Sequence, residues 1–174
     1  MQKECVITGS FDPFTIGHKD LVDKALQYFD VVNILVAANP EKKHMFSYMD
    51  RHAIIKDIFN QSCYKDRVVI TDWGKLTVDW CSKSSCHTIV RGIRDTNDMS
   101  YELNMANINH MLGKEHYNID IETIFFPAHM DYTHISSSFI RAIIGDNPLW
   151  KKYVVNPDYI ESIFNNHIRG IRSN

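Results

Sequence analysis

GSFDPFTIGH, residues 9–18, links the apolar run CVIT (residues 5–8) to KDLVDKALQYF, where Leu21, Val22, Ala25, Leu26 and Phe29 recur at helical spacing. The first run is short, apolar and partly β-branched, as a buried strand requires; the second is long enough for an amphipathic helix. The link is thus a strand-to-helix turn, yet it holds two glycines, a proline and a histidine. Gly17 and His18 fall at the helix start, where unpaired N–H groups and the helix dipole favour negative charge. Gly9 lacks a Cβ, which lets a ligand approach its backbone, and Ser10 adds a hydroxyl.

The alternation continues along the chain. Apolar runs recur at VVNILVAA (31–38), RVVIT (67–71), HTIVR (87–91) and IDIETIFF (119–126). Between them lie helical stripes: Ile54, Ile55, Ile58 and Phe59; Tyr101, Met105, Ile108 and Leu112; and finally Ile160, Ile163, Phe164 and Ile168. Residues 76–84 form a shorter helical segment. Ser47 with Asp50 makes a capping box, Asp98 or Ser100 is expected to cap the helix near Tyr101, and one of the serines at 136–138 to cap SFIRAII. Strands alternating with helices predict a Rossmann-like α/β fold: one doubly wound, parallel, five-stranded sheet with helices on both faces. No linker divides the chain, so residues 1–174 read as a single domain, with a C-terminal helix at about 157–169 packed on it.

Composition narrows the function. Net charge is −2 and the pI is near 6.5, which argues against a generic nucleic-acid binder. No apolar run reaches a membrane span, and MQKECVITG has no signal-peptide core, so a cytoplasmic protein with reduced thiols is expected. Cys81, Cys86 and His87 match no familiar zinc spacing, and no metal ligand is assigned.

In open α/β sheets ligands bind beyond the carboxyl ends of the strands. Here those ends carry GSFDPFTIGH, then NPEKKHMFS with Lys42 and Lys43, then DWGKLT, then RGIRD with Arg91 and Arg94, then HMDYTHISSS. Glycine backbone, cations and a hydroxyl run gather on one rim, and together they read as a polyphosphate site. Arg91 and Arg94 offer forks for bidentate phosphate contacts, though a salt-bridge pair is an equal reading of the same spacing. Glu102 lies in the first turn of its helix, where it complements the dipole or accepts from a ribose; Asn109 follows on the same face.

These stretches together resemble the nucleotidylyltransferase superfamily with the H-x-G-H signature, and more closely the bacterial phosphopantetheine adenylyltransferases. GSFDPFTIGH, AANPEKKHMF, IVRGIRDTNDMSYE and YTHISSSFIR carry the resemblance, in the family's order and over most of the chain. Thr15 stands at the first histidine of the signature, Thr8 replaces a frequent proline, and Tyr132 and Thr133 stand where tryptophan and serine are common. The resemblance implies transfer of the adenylyl group of ATP to 4′-phosphopantetheine, giving dephospho-coenzyme A and pyrophosphate in coenzyme A biosynthesis. It implies Mg²⁺ held mainly by ATP phosphates, a cytoplasmic homohexamer built as a dimer of trimers, and coenzyme A as an inhibitory partner.

By that resemblance Ser10 touches both substrates, Phe11 offers its amide to ATP, and His18 meets the α-phosphate. Lys42, Thr77, Arg91 and Asn109 hold phosphopantetheine. Gly92, Ile93, Arg94, Glu102, Tyr132, Thr133, His134, Ile135, Ser136, Ser137 and Ser138 hold ATP. His18 and Lys42 are the expected catalytic pair. The chemistry is consistent with these parts, because a phosphate monoester is already a nucleophile near neutral pH. It needs no general base, only alignment of two anions and charge neutralisation, in an in-line displacement without a covalent enzyme intermediate. Competing readings keep the fold with nicotinamide mononucleotide or glycerol phosphate as acceptor, or make the chain a nucleotide sensor without turnover. Single-stranded nucleic-acid binding is disfavoured by the acidic balance.

Overall fold

A computed structural model describes residues 2–37 and 43–172. The chain alternates as β1 (Glu4–Gly9), α1 (Ile16–Ala25), β2 (Val31–Ala37), α2 (Tyr48–Asn60), β3 (Val68–Trp73) and α3 (Thr77–Cys81). It continues through β4 (Thr88–Ile93), α4 (Thr96–Leu112), β5 (Glu122–Pro127), α5 (Ser137–Ile143) and α6 (Pro157–Arg172). The five strands form one parallel sheet in the order β3-β2-β1-β4-β5. The chain winds outward from β1 to β3, then returns to place β4 on the other side of β1. That reversal makes the β1–β4 boundary the switch point, where open α/β sheets bind ligands.

Side-chain alternation divides the core into two layers. Cys5, Ile7, Val32, Ile34, Val36 and Val90 point to one face and pack with Phe14, Val22, Ile54, Ile55, Phe59 and Ile160 from α1, α2, α6 and the first turn. Val6, Leu35 and Ile89 point to the other and pack with Val78, Cys81, Cys86 and Ile121. The central strands β1 and β2 are apolar in continuous runs because both their faces are covered. On α6, Ile160 is fully buried and the Phe164 ring lies 6.5 Å from Phe46, which ties the helix to the larger layer. Ile168 lies outside the described side chains.

Two expectations change. The cap of α4 is Asp95, whose carboxylate accepts from the amides of Asn97 and Asp98, so the helix starts earlier than a cap at Asp98 or Ser100 would allow. Asp98 instead pairs with Arg94 one turn away, at 2.6 Å. The stripe on α4 is core only in part: Tyr101 and Ile108 are 62% and 43% exposed while Leu112 packs against the second layer, and Glu102 is the buried residue of that helix. Periodicity identifies an apolar face without saying whether the same chain covers it.

Burial pushes the thiols of Cys5, Cys81 and Cys86 up, Cys81 to about 12 and Cys86 to about 11, so they stay protonated; Cys63 is exposed. Among the described residues no three metal-ligating side chains gather, and no helix is long and apolar enough to cross a membrane.

Candidate active site

At the switch point the loops after β1, β2, β4 and β5 enclose a cleft of about 700 Å³. Ser10, Phe11, His18, Arg91, Gly92, Arg94, Glu102, Tyr132, Ile135, Ser136, Ser137 and Ser138 all line it. Lys42 lies outside the described residues, while its neighbour Lys43 lines the cleft. Five expected residues do not line it. Thr77 opens α3, Asn109 lies two turns along α4 from Glu102, and the carbonyl of Ile93 accepts from the Ala128 amide. The Thr133 hydroxyl closes a turn on the Met130 carbonyl, and the His134 ring meets Tyr153 edge-on.

The start of α1 is built by a reciprocal cap. The Thr15 hydroxyl accepts from the His18 amide at 3.3 Å, and the His18 Nδ1 accepts from the Thr15 amide at 2.9 Å. This is a capping box with histidine in place of the usual glutamate. Because Nδ1 accepts a backbone N–H, the neutral ring carries its proton on Nε2. The ring stands edge-on to Phe11 at 5.1 Å and against Phe14 at 5.3 Å, so its plane is fixed as well. Burial, reinforced by the charges of Arg94 and Arg91, lowers its pKa from 6.5 to about 4. At neutral pH His18 is therefore an uncharged N–H donor, oriented before any ligand arrives.

Phe11 sits at φ 49°, in the left-handed region that non-glycine residues seldom adopt. Its ring occupies the space above Gly9, where an added Cβ would come within 3.0 Å of it. The missing Cβ at Gly9 thus accommodates the chain's own phenylalanine, and Gly9 also lines the cleft.

Arg91 and Glu102 form a fork-on-fork pair, Nε–Oε2 at 2.7 Å and Nη2–Oε1 at 2.6 Å, while Nη1 donates to the Thr8 carbonyl. Glu102 is thereby paired with Arg91 while still lining the cleft, and the guanidinium plane is locked at the β1–β4 boundary. Other carboxylates in the lining are engaged too: Asp98 with Arg94, and Asp20 with Lys24, whose ammonium also reaches the Pro127 carbonyl. Among the described residues Lys43 has no carboxylate partner.

Three residues escaped sequence reading. Asp12, 1% exposed, accepts from the amides of Met45 and Phe46. Arg51, 2% exposed, donates to the carbonyls of Ser10 and Ala37 from beneath the cleft floor, with its Nε unpaired. Arg141 donates to the Asp12 carbonyl and the Ser138 hydroxyl. Asp12 and Arg141 lie inside stretches already singled out, GSFDPFTIGH and YTHISSSFIR, whereas Arg51 had no local signal.

The fold is that of a nucleotidyltransferase, and residues 6–143 match the model of the cytidylyltransferase-like family. Within that class the chain belongs to the phosphopantetheine adenylyltransferase family. It is 38% identical over 147 residues to the phosphopantetheine adenylyltransferase of Francisella philomiragia, covering 84% of this chain and 86% of that one. With the enzyme of the same name from Bdellovibrio bacteriovorus it shares 33% identity over 169 residues, 97% of this chain and 99% of that one. Among solved structures, the nicotinic acid mononucleotide adenylyltransferase of Plasmodium falciparum, complexed with NaAD, superimposes with a TM-score of 0.67 at 21% identity. That match covers 92% of this chain and 95% of the other, and it shows the shared fold.

Proposed function

We propose that the chain transfers the adenylyl group of ATP to 4′-phosphopantetheine, releasing pyrophosphate and dephospho-coenzyme A. The observation that carries this reading is His18: a neutral, pre-aimed Nε2–H donor at a helix N-terminus, in a cleft shared with Arg91, Arg94 and the serines of α5. A neutral donor stabilises charge growing on the α-phosphate without holding the ground-state anion as tightly as a cation would. Arg91 and Arg94 supply positive potential, and Lys43 brings a cation from the loop after β2 to the acceptor phosphate. Lys42, outside the described residues, stays part of the proposal as the partner of His18 in catalysis and a contact of the acceptor. The acceptor phosphate attacks in line; the cleft holds both anions and needs no protein base.

Magnesium belongs to the same proposal. The described residues fit a metal carried in by the ATP triphosphate, because the cleft offers cations, amides and hydroxyls, and its carboxylates are already engaged. Bound there, the ion supplies charge neutralisation on phosphate oxygens. Assembly with copies of this chain is proposed as well, supported by the exposed apolar residues Met99, Tyr101, Leu103, Ile108 and Met111 of α4.

The test mixes purified protein, Mg-ATP and 4′-phosphopantetheine and measures dephospho-coenzyme A by mass, with nicotinic acid mononucleotide as the parallel acceptor. Adenylylation of phosphopantetheine alone is expected. Product from the mononucleotide alone would move the chain to the other acceptor class, and ATP binding without either product would make it a sensor.

A further inference from the structure

A buried carboxylate in a cleft that binds anions works against its own ligand unless it does something else. Asp12 is such a group: its side chain is 2% exposed, at the edge of a site whose substrates are both phosphates in the reading above. Both of its oxygens are engaged. Oδ1 accepts the Phe46 amide at 2.9 Å, and Oδ2 accepts the Met45 amide at 3.0 Å. The His44 Nδ1 lies 3.4 Å from Oδ2, and the Arg141 Nη1 lies 3.7 Å from it while donating to the Asp12 carbonyl at 2.7 Å. One residue of the loop after β1 thus binds two consecutive amides of the loop after β2 and the arginine of α5. Two residues before Met45 stands Lys43, which lines the cleft without a carboxylate partner among the described residues.

We propose that Asp12 is a positioning residue: its carboxylate fixes the loop after β2 so that Lys43 is presented to the phosphate of the acceptor. Amides held by a carboxylate are charge-assisted bonds, stronger than neutral ones and directional, and here the amides of two successive peptide units are held by the two oxygens of one carboxylate. Their geometry transmits to Lys43 through two residues of chain. The ATP side depends on Asp12 differently, since Arg141 is held chiefly by its backbone carbonyl, which any side chain at this position leaves in place.

This inference rests on the adenylyl-transfer reading, and the experiment separates the two. Asp12→Asn keeps the size but turns one acceptor oxygen into an NH₂ that faces a backbone N–H. Its KM for 4′-phosphopantetheine is expected to rise about tenfold or more, with the KM for ATP changed less than about threefold, a split that general loosening of the fold would not produce. In the Lys43→Ala background the same substitution is expected to add less than about twofold, because the two act as one unit. Equal rises in both KM values, or full additivity with Lys43→Ala, overturns the proposal. If Asp12→Asn does not fold, hydrogen exchange on the unaltered protein decides: the Met45 and Phe46 amides must exchange as slowly as core amides, and free exchange of both overturns it. Absence of dephospho-coenzyme A from the unaltered protein would defeat the reaction reading instead, and leave Asp12 to be judged by that exchange measurement.

Discussion

Two helix ends meet at the cleft, and each is closed by a hydroxyl cap, but the caps have different consequences. At α1, Thr15 and His18 cap each other, and the same bond that closes the helix fixes the tautomer of the imidazole. At α5, Ser136 accepts the Phe139 amide, Ser137 donates to the Pro13 carbonyl, and Ser138 accepts from Arg141. In the first, the cap and the proposed catalytic donor share one interaction. In the second, the serines mainly close the α5 turn and tie it to the loop after β1. A hydroxyl run that reads as a ligand site is in part scaffolding.

The widest separation between the two ends is expected in turnover. His18→Ala should lower kcat about 10²–10³-fold, the usual loss when one donor to a developing oxyanion is removed, with a much smaller rise in the KM for ATP. No single serine substitution at α5 should approach that. Equal changes in kcat and KM for His18→Ala would reduce α1 to a second binding end and dissolve the contrast.

Next comes acid stability, to which the α1 end contributes through His18. The pKa of His18 is depressed in the folded protein, so between about 4 and 6.5 the unfolded chain binds the proton more readily. Stability is therefore intact above 6.5 and is lost as pH falls through that window, by no more than about 3 kcal/mol before discounting for partial exposure. His18→Gln should flatten this part of the pH–stability curve in denaturant titrations. An unchanged curve would mean that the ring is solvated and free to charge.

The caps themselves come third. Thr15→Ala and Ser136→Ala should each cost about 1 kcal/mol in denaturant titrations. Only Thr15→Ala should also lower kcat, by about tenfold, since the Thr15 amide still holds Nδ1 but the turn that aims the ring is loosened. Matching kinetic losses at both ends would erase the distinction drawn between them.

Much of this was legible in the chain. The strands and helices followed from β-branched runs and 3.6-residue stripes, because local periodicity encodes what each segment buries. Strand order was not, since nothing in β1 or β4 states that they pair; the reversal comes from how helices cover both faces. The α4 cap was misplaced because Asp95, Asp98 and Ser100 all satisfy the same preference, and only the Arg94 partnership of Asp98 decides among them. Most of the cleft residues were visible as types at strand ends. Their pairings were not: Arg91 meets Glu102 across a strand–helix boundary, and Asp12 acts on amides more than thirty residues away.

The smallest expected difference lies inside the serine run. The Ser137 O–H is donated to the Pro13 carbonyl at 2.9 Å, so it has no proton to offer a phosphate while that bond lasts. Ser138 only accepts, from Arg141 at 3.0 Å, and its own O–H remains available to the cleft. Ser138→Ala should therefore raise the KM for ATP about three- to fivefold, the worth of roughly 1 kcal/mol, while Ser137→Ala should stay within about twofold and act on thermal stability instead. The comparison needs only steady-state ATP titrations and melting curves of the two variants. The reverse order would mean that the Pro13 bond gives way to phosphate, and that the α5 end is rebuilt when ATP arrives.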